Sequence, residues 1–346
     1  MRAVGRNILL VTTDQQRFDS LGCNGGTIAR TPTVDALAAR GVNYRRAYTQ
    51  NVTCTPARAT ILTGQYPRTH GAISCGRSLA ADAPSVAAYL HDHGGYRTAL
   101  LGKAHFDPAM DPHRQFAETQ LSATGAPGPL RGFEHAELAM HGPFATTHYG
   151  HWLREHHPEV VDGFVVPLGG GESPETGAPE CRPNPVPREL YHTDWVADRT
   201  IAWLDSLDAG ADWFCWTSFP DPHHPWDPPQ AEMARVDWHD LDLPPGHPGG
   251  DDDVARVLAA KPAHWLAYWE GRFKNCEGAP STFVPSRMSH DAIREINARA
   301  HVMNELVDDA CARILRAVAE RGWAADTDVF FTTDHGELQG LSLIHI

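Results

Sequence analysis

Lysine is scarce in this chain. Of 346 residues only Lys103, Lys261 and Lys274 carry an ammonium group, and the remaining positive charge is arginine. Lys and Arg total 29 against 43 Asp and Glu, a formal net charge of −14, which argues against a polyanion such as nucleic acid as the main partner. A small anionic substrate is compatible with that balance, because a metal ion or a few placed cations override the global field locally. No apolar run approaches the roughly 20 residues of a membrane helix, so no membrane association is expected. The amino terminus is apolar only from Ile8 to Val11 and lacks a small-residue cleavage site, so the chain reads as cytoplasmic, without a secretory leader. Seven cysteines, an odd number, form no C-x-x-C pair, which argues against a disulfide framework and a cysteine zinc cage. Most of them read as small buried hydrophobes. No internal repeat is visible.

What the chain has instead is an alternation of strand and helix patterns, with 42% hydrophobic residues and ample length to bury a core. Asn7-Ile-Leu-Leu-Val-Thr-Thr13 is a short apolar run that stops at Asp14, the pattern of a strand buried on both faces of a parallel sheet. Thr31-Pro32 offers an N-cap and a first-turn proline for a helix through Ala39, closed by Gly41. Val42–Tyr48 reads as a strand, Pro56–Leu62 as a helix ending at Gly64, Ser85–His93 as a helix ending at Gly94-Gly95, and Tyr96–Leu101 as a strand. From about Asp107 to Pro187 the pattern dissolves into Gly, Pro and His, which assigns this region to insertions over the sheet. Order returns with a helix over Asp194–Leu207 and a strand over Trp213–Phe219, followed by a Pro-rich loop over Pro220–Pro229. Apolar residues at helical spacing from Ile293 to Ala317 predict one long helix over 290–321, and Asp328–Thr333 is a final strand. The whole predicts an α/β fold: a doubly wound, mostly parallel sheet flanked by helices.

Open α/β sheets bind ligands at the carboxyl ends of their strands. Asp14-Gln15 follows the first strand and Asp334-His335 the last, so both pairs are expected on one sheet edge. Two carboxylates, an amide oxygen and an imidazole suit one divalent cation, because hard cations want oxygen and imidazole tolerates manganese or zinc. Acidic residues after strands are also ordinary turn formers. A third cluster, Cys54-Thr-Pro56-Ala-Arg58, opens a helix, where backbone N–H groups and the positive dipole end favour an anion or an attacking oxyanion. Arg58 lies one turn on and reaches back to the same point.

These residues resemble the sulfatases of the alkaline phosphatase superfamily: Cys54-x-Pro56-x-Arg58 followed by Thr63-Gly64, Asp14 after the first strand, Gly102-Lys103-x-His105, and Asp334-His335-Gly336. The resemblance runs from about residue 5 to residue 340 and implies one catalytic domain over 1–340, with loops 107–190 and 220–285 shaping the substrate pocket. It implies that Cys54 is converted to formylglycine by a formylglycine-generating enzyme. The aldehyde hydrate then offers two hydroxyls on one carbon, one to attack the ester and one to expel the inorganic anion by reforming the aldehyde. By the same resemblance Asp14, Gln15, Asp334 and His335 hold one divalent cation with residue 54. Arg58 orients the hydrate and Lys103 binds an ester oxygen. His105 and His223, the latter in Pro222-His223-His224-Pro225, stand near the leaving group as candidate general acids.

Two departures matter. Gln15 replaces a frequent aspartate and His335 a frequent asparagine, which tilts the cation from calcium toward manganese without deciding between them. Gln15 is shared with phosphonate monoester hydrolases of the same superfamily, whereas Lys103 and His105 favour a sulfate monoester. The expected activity is therefore sulfuric ester hydrolysis, with phosphonate monoester or phosphodiester hydrolysis as the alternative. The tail Leu341–Ile346 does not resemble the family, whose members continue into a carboxyl-terminal subdomain; a truncated chain that binds metal without turnover is the competing expectation. Trp152, Trp226, Trp238, Trp265 and Trp269 in the two insertions are candidates to stack on a sugar or aryl group, although packing is the commoner role.

Overall fold

The computed structural model describes residues 6–144, 146–165, 171–273 and 282–337. Five strands form one sheet: β1 (Asn7–Thr13), β2 (Arg97–Gly102), β3 (His135–Leu138), β4 (Trp213–Ser218) and β5 (Thr327–Thr333). Their order is β3-β2-β4-β1-β5, and every pairing is parallel. Parallel neighbours need crossover connections, which the chain supplies as helices on both faces. Leu9, Val11, Ala99 and Leu101 point to one face. There they pack with Trp195, Val196 and Leu204 of α4 (His192–Asp205) and with Val302, Leu306, Ala310 and Ile314 of α5 (His290–Glu320). On the other face Leu100, Phe214 and Trp216 meet Ala59 and Leu62 of α2 (Cys54–Thr63), together with Phe106 and Phe133.

α5 is amphipathic, as its apolar spacing requires, yet a row of its polar residues is also buried. That row ties down the chain after β1. Asp308 accepts the backbone N–H groups of Thr33 and Val34, at 3.0 and 2.9 Å, at the start of α1 (Pro32–Arg40), and Glu305 accepts that of Arg30 at 2.9 Å. Asn304 accepts from the Gln16 amide at 2.6 Å, one residue beyond the candidate ligand Gln15.

Three expectations are corrected. Residues 42–48 form no strand; Val42, Tyr44 and Tyr48 are 74%, 76% and 79% exposed and have no sheet to join. The helix expected over 85–93 is a short α segment, Val86–Tyr89, that passes into a π turn over Leu90–Gly94. The region 107–190 does more than cover the sheet, because it contributes β3 (His-Ala-Glu-Leu) at the sheet edge and α3 (Ala117–Thr124). The described residues of 220–285 include the α-helices Asp251–Ala259 and Ala263–Trp269. Trp226 is buried in a cluster with Ile296 and Met303, while Trp265 and Trp269 pack on Val254 and Leu258. Cys54, Cys181, Cys215 and Cys311 are buried, whereas Cys23 and Cys75 are half-buried. Cys276 and the tail 341–346 lie outside the described residues. Among those residues no helix is long and apolar enough to cross a membrane.

The register brings the two ends of the chain together. Asn7 pairs with Thr327 and Thr13 with Thr333, so Asp14 and Asp334 leave adjacent strands side by side. Between β2 and β4 the backbones approach so closely at Gly102 (φ +104°) that a Cβ there would stand 1.9 Å from the Ser218 carbonyl oxygen. That same oxygen accepts the Lys103 N–H at 2.8 Å. Gly102→Ala therefore forces the strands apart and should destabilise the fold by about 3 kcal/mol; urea unfolding measures it, and a loss below about 0.5 kcal/mol contradicts the close approach.

Candidate active site

Every strand of the central trio delivers polar groups at its carboxyl end. β1 leads into Asp14 and Gln15, β2 into Lys103 and His105, and β4 ends at Ser218, with His223 five residues on. β5 adds Asp334 and His335. α2 points its first residue, Cys54, at the same spot; Pro56 and Ala57 favour its first turn, and Gly64 (φ +67°) closes it with an N–H to the Thr60 carbonyl.

The Cys54 Sγ lies 3.4 Å from Asp14 Oδ1, 3.2 Å from His335 Nε2 and 3.6 Å from Lys103 Nζ. Arg58, fully buried one turn along α2, donates to Asp334 Oδ2 at 2.8 Å, to the Lys103 carbonyl at 2.8 Å and to the Ser218 hydroxyl at 2.7 Å. Its second terminal nitrogen lies 3.9 Å from Asp14 Oδ1. Asp334 Oδ1 also accepts the N–H groups of Gln15 and His335, at 3.1 and 2.8 Å. Gln15 is buried at φ +62°, an unusual conformation for a residue with a side chain.

Burial pushes the Asp14 carboxyl upward, but Lys103, His223 and Arg58 reverse this and hold it well below the usual carboxylate range. Asp334 goes the other way: burial first, then the Asp14 charge, raise it despite Arg58. Hydrogen bonding with Cys75, burial and the Asp14 charge lift the Cys54 thiol well above its ordinary value. Burial pushes Lys103 down, yet Asp14 and Cys54 more than offset it, so the ammonium is retained. His105 and His223 are held well below the ordinary imidazole value, first by burial and then by Lys103 and His141 respectively.

One ligand atom each from Asp14, Cys54, Asp334 and His335 lies within 4.8 Å of the others, and all four residues are buried. The Oε1 atom of Gln15, the residue after Asp14, is buried without a hydrogen-bond partner. Two carboxylates, one of them raised by burial and by its neighbour's charge, stand with an amide oxygen lacking a hydrogen-bond partner and an imidazole. This set fits a divalent cation.

The structure thus brings together Asp14, Gln15, Cys54, Arg58, Lys103, Asp334 and His335. His223 joins them through Asp14 and His141, whose ligand atoms lie within 4.8 Å of its own. Its neighbour His224 is turned away onto Glu180 at 2.5 Å. His105, at φ +56°, stands close enough to Lys103, Arg58 and Asp14 to feel their charges but makes no hydrogen bond to them. Sequence reasoning missed His141 and Ser218. His141 Nε2 lies 3.0 Å from Lys103 Nζ and 3.3 Å from Asp14 Oδ2, and its ring stacks on His223 at 4.0 Å. It follows the end of β3 by three residues, so recognising that strand would have exposed it.

A parallel α/β sheet thus carries a cluster of possible cation ligands at its carboxyl edge, faced by a cysteine at a helix tip. The chain belongs to the sulfatase family, whose model matches residues 6–341. It is 27% identical over 343 residues to the arylsulfatase of Clostridium perfringens, covering 96% of this chain and 63% of that protein. It is 26% identical over 350 residues to the multifunctional alkaline phosphatase superfamily protein PehA of Trinickia caryophylli, covering 97% and 64%. The crystal structure of the phosphonate monoester hydrolase of Agrobacterium radiobacter superposes with a TM-score of 0.74 at 27% identity, covering 97% of this chain and 63% of that one. The chain thus spans a little under two thirds of the length of these relatives.

If this cluster holds a cation, calcium or manganese should raise the melting temperature of the metal-stripped protein. At a concentration of about 100 times Kd the gain corresponds to about 3 kcal/mol. Asp334→Asn should abolish the shift seen by differential scanning fluorimetry; an undiminished shift places the ion elsewhere.

Proposed function

We propose that this chain hydrolyses sulfate monoesters through a formylglycine at position 54, made by a formylglycine-generating enzyme, with one divalent cation held by Asp14, Gln15, Asp334, His335 and residue 54. The observation that carries this reading is the position of Cys54, at a helix tip within 3.4 Å of Asp14 Oδ1 and within 3.2 Å of His335 Nε2. The cation, calcium or manganese, would polarise an ester oxygen and neutralise charge as it develops. The formylglycine hydrate would supply the attacking hydroxyl and a second one to release the inorganic anion.

The chain's own residues take the remaining roles. Arg58 fixes Asp334 and holds the start of α2 against the cluster, so residue 54 is aimed rather than free to turn. Lys103 presents its ammonium 3.6 Å from the Cys54 sulfur, placed to bind an ester oxygen at the reacting centre. His223 bonds the His224 carbonyl through Nδ1 at 2.5 Å, which leaves Nε2 for the leaving alcohol; His105 is the second candidate for that proton.

Phosphonate monoester or phosphodiester hydrolysis is the second reading. Gln15 favours it, as does similarity to the phosphonate monoester hydrolases of Agrobacterium radiobacter and Silicibacter pomeroyi, at TM-scores of 0.74 and 0.73. The Lys103–His105 pair favours sulfate, because by resemblance phosphonate monoester hydrolases usually lack a Lys-x-His pair at this place.

The test is the mass of the peptide containing residue 54, from protein co-expressed with a formylglycine-generating enzyme, together with turnover of para-nitrophenyl sulfate and a phenyl phosphonate ester. An aldehyde with faster sulfate turnover is expected, and Cys54→Ala should lower it about a thousandfold or more. A thiol in every active preparation sinks the mechanism. Faster phosphonate turnover selects the second reading, and an aldehyde without turnover leaves a metal-binding fold that hydrolyses neither ester.

A further inference from the structure

The loop that carries Lys103 and His105 out of β2 is held by a carboxyl group to which the roles above assign nothing. Three successive backbone N–H groups converge on Glu118, near the start of α3: His105 donates to Oε2 at 3.2 Å, Phe106 to Oε1 at 2.6 Å and Asp107 to Oε1 at 3.1 Å. Successive N–H groups turned to one side form a concavity that suits an oxygen acceptor, and here the acceptor is a side chain of the same protein. The brace is reciprocal, because the Asp107 carboxylate accepts the Glu118 N–H at 3.4 Å. Asp107 is in turn fixed by the Ser78 hydroxyl and by Arg131 at 2.9 Å. Burial and the Asp107 charge push the Glu118 carboxyl up to about 8, and the N–H bonds of Phe106 and Asp107 act against this.

His105 needs such a brace. Its backbone sits at φ +56°, a conformation that costs on the order of 1 kcal/mol or more for a residue with a β-carbon and persists only where surroundings enforce it. Its Nδ1 is buried with no hydrogen-bond partner, so no bond at that atom orients the ring. The aim of the imidazole therefore depends on the backbone torsions, and those depend on Glu118.

We propose that Glu118 is a positioning residue for His105, acting through the backbone of residues 105–107; the inference rests on the reading that His105 serves the ester-cleaving site. Glu118→Gln keeps the shape and one acceptor but turns a donor toward the His105 N–H. In matured protein with para-nitrophenyl sulfate it should lower kcat by roughly 10- to 100-fold with little change in KM, the range expected for a small misplacement of a reacting group. In a His105→Ala background the same change should cost less than about twofold, because the group it positions is gone. Equal losses in both backgrounds, or no loss in the wild-type background, overturn the proposal. Should Glu118→Gln fail to fold, Glu118→Asp, with both oxygens one methylene short, enters the same cycle with the same expected pattern. If His105→Ala turns over normally, the role of His105 fails, and a crystal structure of the Glu118 variant decides the positioning claim separately. His105 leaving positive φ supports it; His105 retained near +56° overturns it.

Discussion

Asp14 and Asp334 sit side by side without access to water, and the site is built around that fact. Two carboxylates this close in a low-dielectric interior repel one another and lose hydration, so each needs positive charge or hydrogen-bond donors at once. The chain provides them from four directions: Arg58 from a helix, Lys103 from a strand end, and the backbone N–H groups of Gln15 and His335 from the two loops. Asp14 is satisfied and held in its charged form, whereas Asp334 is still raised. The Asp334 carboxyl, still raised by burial and by the Asp14 charge, is the physical argument for proposing a divalent ion there.

The sheet creates this juxtaposition. β1 and β5 are separated by more than three hundred residues yet pair in parallel, so whatever follows Thr13 must lie beside whatever follows Thr333. The crossover helices bury both faces of the sheet and leave its carboxyl edge for chemistry, as open α/β folds do. Close approach at Gly102 and polar anchors along α5 then fix the loops to which the site residues belong.

Much of this was legible. β1, β4, β5 and the long helix announce themselves through uninterrupted apolar runs or sustained helical spacing, signals that depend only on which faces are buried. Asp14 and Asp334 were legible because each follows such a strand, and Cys54 and Arg58 because the Cys-x-Pro-x-Arg cluster opens a helix. The failures have equally physical causes. Residues 42–48 carry β-prone side chains, but a strand requires a neighbour to bond and Val42, Tyr44 and Tyr48 meet none. β3 is four residues long and contains Ala, Glu and Leu, which prefer helix; it forms because the edge of β2 offers it a partner. Losing that strand meant losing His141. Glu118 was invisible for another reason: its partners are backbone N–H groups, which leave no mark in the sequence.

The family assignment and the geometry both support the proposal of an ester-cleaving site whose pieces come from the beginning, middle and end of the chain. The central claim is that these pieces enclose one cation. Anomalous diffraction at the manganese absorption edge, from crystals grown with manganese, tests it most directly. The account predicts a single strong peak bounded by the Asp14 and Asp334 carboxylates, the Gln15 amide oxygen and the His335 imidazole, facing residue 54. A peak elsewhere, with none between the ends of β1 and β5, would contradict it.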